Sequence, residues 1–183
     1  LGILFRGQGG AEALEEVTIP LEGAGAAEIR LRHGAGTLRI DAGGDAQTLL
    51  SGTFAGGLDY RTDRAADTLS VDMRVPQQGV WFFAPWQWWR GGGLAWAFGL
   101  NPEIPLLLQL ETGAGEANVD LTDLQVTDLR LQTGASSMRL ALPAQAGHTR
   151  VRIEGGATSI SVRVPTGVAA RLCWPTRIRV HPA

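Results

Sequence analysis

Apolar and polar residues alternate through most of this chain with a period of two, the spacing of a strand that buries one face. Ile29 and Leu31 alternate with Glu28, Arg30 and Arg32, and after Gly34-Ala-Gly36 the alternation resumes at Leu38 and Ile40. It precedes them in Val17, Ile19 and Leu21 and follows them through residues 49–54, 58–62 and 69–75. It returns in 106–110, 117–121, 126–131, 138–142, 151–153, 160–164 and 178–180. No stretch sustains a helical period, and Gly and Pro punctuate the chain between the predicted strands. The pattern predicts an all-β protein.

One ten-residue pattern is written four times. The copies are Leu31-Arg-His-Gly-Ala-Gly-Thr-Leu-Arg-Ile40, Leu110-Glu-Thr-Gly-Ala-Gly-Glu-Ala-Asn-Val119, Leu131-Gln-Thr-Gly-Ala-Ser-Ser-Met-Arg-Leu140 and Ile153-Glu-Gly-Gly-Ala-Thr-Ser-Ile-Ser-Val162. The last three begin 21 and then 22 residues apart, and the first stands 79 residues upstream of the second. Repeats of this length stack on copies of themselves. Each copy reads as two short arms joined by a corner, where Gly or Ala leaves room for the next rung. Ala114, Ala135 and Ala157 are therefore expected in one row. Val119, Leu121, Met138, Leu140, Ile160 and Val162 are predicted to face inward, with Asn118, Asp120, Arg139, Ser161 and Arg163 facing water.

The expected fold is a stack of short strands forming a β-solenoid, right-handed and β-helix-like, with a two-sheet sandwich as the alternative topology. Residues 1–10 read as a leader and 11–183 as a single domain. Leu1-Gly-Ile-Leu-Phe-Arg6 fits either the tail of a preceding membrane segment or a strand or disordered leader.

One segment breaks the pattern. Residues 80–100 read VWFFAPWQWWRGGGLAWAFGL and hold five of the six Trp residues. Pro85, Arg90 and Gly91-Gly-Gly93 exclude the ~20 apolar residues of a spanning helix. We read 80–103 as an aromatic-rich insertion, either a lid over strand edges or an exposed patch for a membrane interface, a partner protein or a glycan. Trp81, Phe82, Phe83, Trp86, Trp88, Trp89, Trp96 and Phe98 are its candidate interaction residues.

Composition narrows the function. A net charge of −2, with all 16 basic residues Arg, gives no clustered basic footprint for nucleic acid. Cys173 is the single cysteine, so no intrachain disulfide or thiolate metal site forms. His33, His148 and His181 are too far apart in sequence for a zinc signature and are expected to face solvent. Gly34-Ala-Gly36 and Gly113-Ala-Gly115 lack both the third glycine and the helix of a dinucleotide cradle. Glu111, Glu116, Asp120, Asp123 and Asp128 could flank a glycan, but Arg130, Arg139, Arg150, Arg152 and Arg163 interleave with them and make an ion-pair ladder the better reading. No catalytic residue, cofactor or metal is expected.

Ile104-Pro-Leu-Leu-Leu-Gln-Leu-Glu-Thr-Gly-Ala-Gly-Glu116, Val119-Asp-Leu-Thr-Asp-Leu124, Leu129-Arg-Leu-Gln-Thr-Gly-Ala-Ser136 and Val164-Pro-Thr-Gly-Val168 resemble the bacterial toast-rack family, related to the C-terminal domain of LiaF-type cell-wall-active antibiotic response proteins. The resemblance implies a non-catalytic, envelope-associated module, membrane-anchored in the full-length protein, on either side of the membrane. Envelope stress sensing or protein interaction is its first implied role, and adhesion or carbohydrate binding through the Trp-rich segment the alternative. A glycan-active enzyme stands third. Expected partners are a protein, a membrane interface or a second copy of the chain.

Overall fold

The computed structural model describes residues 14–76, 94–156 and 158–171, and every regular element among them is a strand. In chain order these are β1 (Leu14–Pro20), β2 (Ala26–Ala42), β3 (Thr48–Ala55), β4 (Asp59–Ala65), β5 (Thr68–Arg74), β6 (Leu94–Leu100), β7 (Pro105–Asp120), β8 (Gln125–Ala141), β9 (Arg150–Gly155) and β10 (Ser159–Arg163). No helix in this set is long and apolar enough to cross a membrane.

Three long strands build the centre. β2, β7 and β8 each run through a Gly-Ala corner, so one strand supplies both arms of a rung. They stack in parallel with the repeats in register. Leu31 lies opposite Leu110 and Leu110 opposite Leu131; Ala114 and Ala135 stand in the expected row, and Ala35 extends it. Ala157 lies outside the described residues. At each end of this trio the neighbouring rung is made of two separate strands. β5 and β6 flank the two arms of β2, and β9 and β10 flank those of β8, all in parallel. Antiparallel additions finish the far end: β4 on β5, β3 on β6 and β1 on β3. The result is an all-β, solenoid-like stack.

The stretch between the first two copies, residues 41–109, thus contains strands that pack beyond β2, after which the chain returns to β7. One expectation changes here. Residues 94–100, assigned from sequence to the aromatic insertion, are an integral strand. β6 lies between β3 and β2, and its inward positions Trp96, Phe98 and Leu100 are buried. Trp96 is edge-on to Phe54 at 5.2 Å between ring centroids, and its Nε1–H donates to the Ala55 carbonyl at 3.2 Å.

The inward columns form one core. Ile29, Leu108 and Leu129 stack on one arm, Leu38, Ala117 and Met138 on the other, and all are buried. Full burial of such a side chain stabilises by ~1.5–3 kcal/mol. Val119, Leu121, Met138 and Leu140 are buried as expected. Ile160 is only half-buried and Val162 is 40% exposed, because β10 has β8 on one side and no described strand on the other.

Two local devices keep the rungs in step. The β7–β8 offset passes from 20 at Leu106↔Val126 to 21 at Leu107↔Asp128, making Thr127 a bulge residue. Its hydroxyl donates to the Leu106 carbonyl at 3.3 Å. At the turn between β7 and β8 the Asp120 carboxylate accepts from the Thr122 N–H at 3.1 Å and hydroxyl at 2.6 Å. Those bonds, with the Arg163 guanidinium behind them, hold the Asp120 carboxyl below its usual range.

Candidate interaction surface at the corner

Each corner repeats a short set of positions, and stacking turns the set into columns. Arg32, Glu111, Gln132 and Glu154 form an outward column. Next come His33, Thr112 and Thr133, then Gly34, Gly113 and Gly134. With Arg74 and Val75 these columns line an open groove of about 820 Å³ across the rungs. Its glycine floor follows from contact: a Cβ on Gly113 would sit 2.6 Å from the Gly34 carbonyl oxygen, and one on Gly134 2.6 Å from that of Gly113.

The electrostatics are balanced. Arg32 Nε is 3.6 Å from Glu111 Oε2, and Arg74 Nε donates to Asp59 Oδ2 at 2.8 Å. The groove therefore offers paired cations, carboxylates, an amide and exposed backbone, a hydrogen-bonding surface with no excess charge. Elsewhere the expected ladder forms only in part, and among the described residues Glu116 and Asp123 have no ion-pair partner. Asp128 pairs with Arg130 at 3.5 Å, and Arg163 reaches over the small Ala141 to Asp120 at 3.6 Å. No group of three His, Cys, Asp or Glu among the described residues could hold a metal ion.

The histidine expectation is corrected at this corner. His33 is 4% exposed and lies 5.1 Å from Trp96, ring to ring, because the alternation that buries Ile29 and Leu31 also turns position 33 inward. Burial lowers its pKa from the usual 6.5, partly opposed by a hydrogen bond with the Leu94 backbone. His33 Nε2 and the Thr112 hydroxyl, on consecutive rungs, are buried without a partner. The Thr133 and Ser136 hydroxyls bond each other. The sequence carried the signal: the third position of three copies is inward by parity, yet holds His, Thr and Thr.

Of the eight aromatic candidates, Trp96 and Phe98 belong to the core and present no surface. Their places on β6 are inward, and β2 and β3 cover them. Trp81, Phe82, Phe83, Trp86, Trp88 and Trp89 lie outside the described residues. The roots of their segment are placed, however. Val75, two residues before position 77, lines the groove, and Leu94 pairs with Gly36 at the corner. Both roots stand at the corner of the stack.

This architecture has a solved counterpart. The structure of a Clostridium sporogenes ATCC 15579 protein proposed to act in cell adhesion superposes with a TM-score of 0.76, over 86% of this chain and 74% of that one, at 20% identity. At that identity the likeness shows the fold alone. No curated protein matches the chain. The family profile described as the N-terminal domain of toast_rack, DUF2154, matches residues 8–163. Spanning the bent strands and both split rungs, that match makes the chain a member of the toast_rack N-terminal domain family.

Proposed function

We propose that this chain is a non-catalytic interaction module of a bacterial envelope-associated protein, working in envelope stress sensing or protein contact. The observation that carries the reading is the corner, where a balanced hydrogen-bonding groove lies beside both roots of the Trp-rich segment. The outer faces elsewhere carry short ion pairs within and between strands, as a solvated scaffold does. Attachment to a membrane through a segment preceding the stack belongs to the same proposal. Adhesion is the second reading, favoured by the fold it shares with the Clostridium protein.

Sedimentation of the whole chain with anionic phospholipid vesicles and with isolated peptidoglycan tests both readings. Binding to either is expected, and the W86S/W88S/W89S variant should lose it with an unchanged melting temperature. A large drop in melting temperature with undiminished binding would make the segment a structural lid and remove the interaction reading. Capture by peptidoglycan but not by vesicles selects adhesion.

A further inference from the structure

The two ends of the stack are finished differently. At one end β4 is an edge strand of sequence Asp59-Tyr-Arg-Thr-Asp-Arg-Ala65, whose charges discourage further pairing. At the other end β9 and β10 each pair only with β8 among the described strands. Here the inward columns end in the open. Ile153 continues the column of Leu110 and Leu131 and is 36% exposed, and Val162 continues that of Val119 and Leu140 at 40%. Val164, just after β10, is exposed as well. An unpaired strand edge over uncovered apolar side chains is a template for another strand.

We propose that this end is a two-fold interface between two copies of the chain, with β9 and β10 each pairing antiparallel with their counterparts. Self-complementarity favours a second copy over an unrelated strand. Pairing of β9 centred on Ile153 sets Ile153 against Ile153 and places Arg152 of each copy opposite Glu154 of the other. Among the described residues neither Arg152 nor Glu154 has an ion-pair partner. Arg152 stands beside Arg130 in the β8–β9 register, so a carboxylate on its free side offsets local excess positive charge. Pairing of β10 centred on Ser161 sets Ile160 opposite Val162 and Arg163 opposite Ser159, with no like charges facing. One two-fold axis normal to the two arms serves both pairings, since it reverses strand direction while keeping each arm on its own side. Such an interface is isologous and closes at two copies, so it consumes the open edge without growing a fibre. It shares Glu154 with the lining of the corner groove, but the pairing needs nothing bound there, and Val162 lies outside that lining.

Sedimentation equilibrium of the whole chain tests the interface. The expected mass is twice the 19.4 kDa of one chain at micromolar concentration. R152E and E154R should each raise the dimer dissociation constant about tenfold or more, and the combined R152E/E154R should restore it, because the pair is re-formed with reversed sign. V162R, which places a charge in the apolar seam, should give a monomer with an unchanged far-ultraviolet circular dichroism spectrum. A chain monomeric at its solubility limit overturns the proposal, as would be seen if another segment or protein occupied this end. So does a dimer indifferent to all four variants, or a charge swap that fails to rescue its single changes.

Discussion

Leu31 and Leu110 stand directly opposite one another in the parallel pairing of β2 with β7, although 79 residues of chain separate them. Leu110 and Leu131, the next pair in the column, are separated by 21. One continuous core therefore mixes a distant closure with near ones. Loop closure costs grow only slowly with length, so both pairings are thermodynamically accessible, but the distant one is the slower to form.

Leu140, buried in the central stack, should lose about 2–5 kcal/mol of stability on replacement by Ala. Val162→Ala in the whole chain at dilutions that keep it monomeric should cost under about 1 kcal/mol, since that side chain is 40% exposed. Urea denaturation of both variants checks the pair, and equal losses would mean that the last rung is covered.

Gly34 and Gly134 share a column yet differ in what lies beneath them. Nothing stands within 4 Å of a Cβ on Gly34, while one on Gly134 would meet the Gly113 carbonyl oxygen at 2.6 Å. Gly134→Ala should cost about 1–3 kcal/mol by overpacking, with Gly34→Ala within about 0.5 kcal/mol of the parent. Thermal unfolding distinguishes the two, and similar losses would discard the close-approach account.

Thr112 carries a buried hydroxyl with no partner. Thr112→Val keeps the shape and removes the unsatisfied group, so stability should be unchanged or rise by about 1 kcal/mol. A loss of more than ~1 kcal/mol, measured by the same denaturation, would show that the hydroxyl is bonded in solution.

His33 gives the fold a pH dependence whose sign follows from its lowered pKa. The unfolded chain takes up a proton near 6.5 and the folded one resists it, so the unfolded state binds more protons below that value. Stability should be level above pH 6.5 and decline as pH falls beneath it. His33→Phe, which keeps a ring beside Trp96, should flatten the slope between about pH 6.5 and 5, above most carboxylate titration. A slope that survives the substitution would assign it to another group.

Much of the stack was legible because alternation and repeat spacing report the same geometry twice. The copies at 31, 110, 131 and 153 predicted rungs stacked in register, and the pairing of Ala114 with Ala135 follows from that spacing. Three things were hidden for physical reasons. Trp96 and Phe98 read as insertion because their neighbours in sequence are aromatic, whereas their burial depends on β2 and β3, which are remote in the chain. His33 reads as a solvent-facing histidine at a corner, whereas its parity with Ile29 and Leu31 turns it inward. Val162 was assigned to the core because a repeat pattern does not announce which copy comes last. The groove was less legible still, since it arises between columns and no single copy contains it.

The turn at residues 121–124 joins one bent strand to the next and touches neither end of the stack. An additional repeat of about 21 residues spliced in there would leave every existing rung with a neighbour of the same kind. It would move the two termini of the stack apart by one strand spacing, about 4.8 Å. The domain is thus a ruler with fixed graduations. Whatever binds at opposite ends is held at a separation that the number of repeats sets in whole steps.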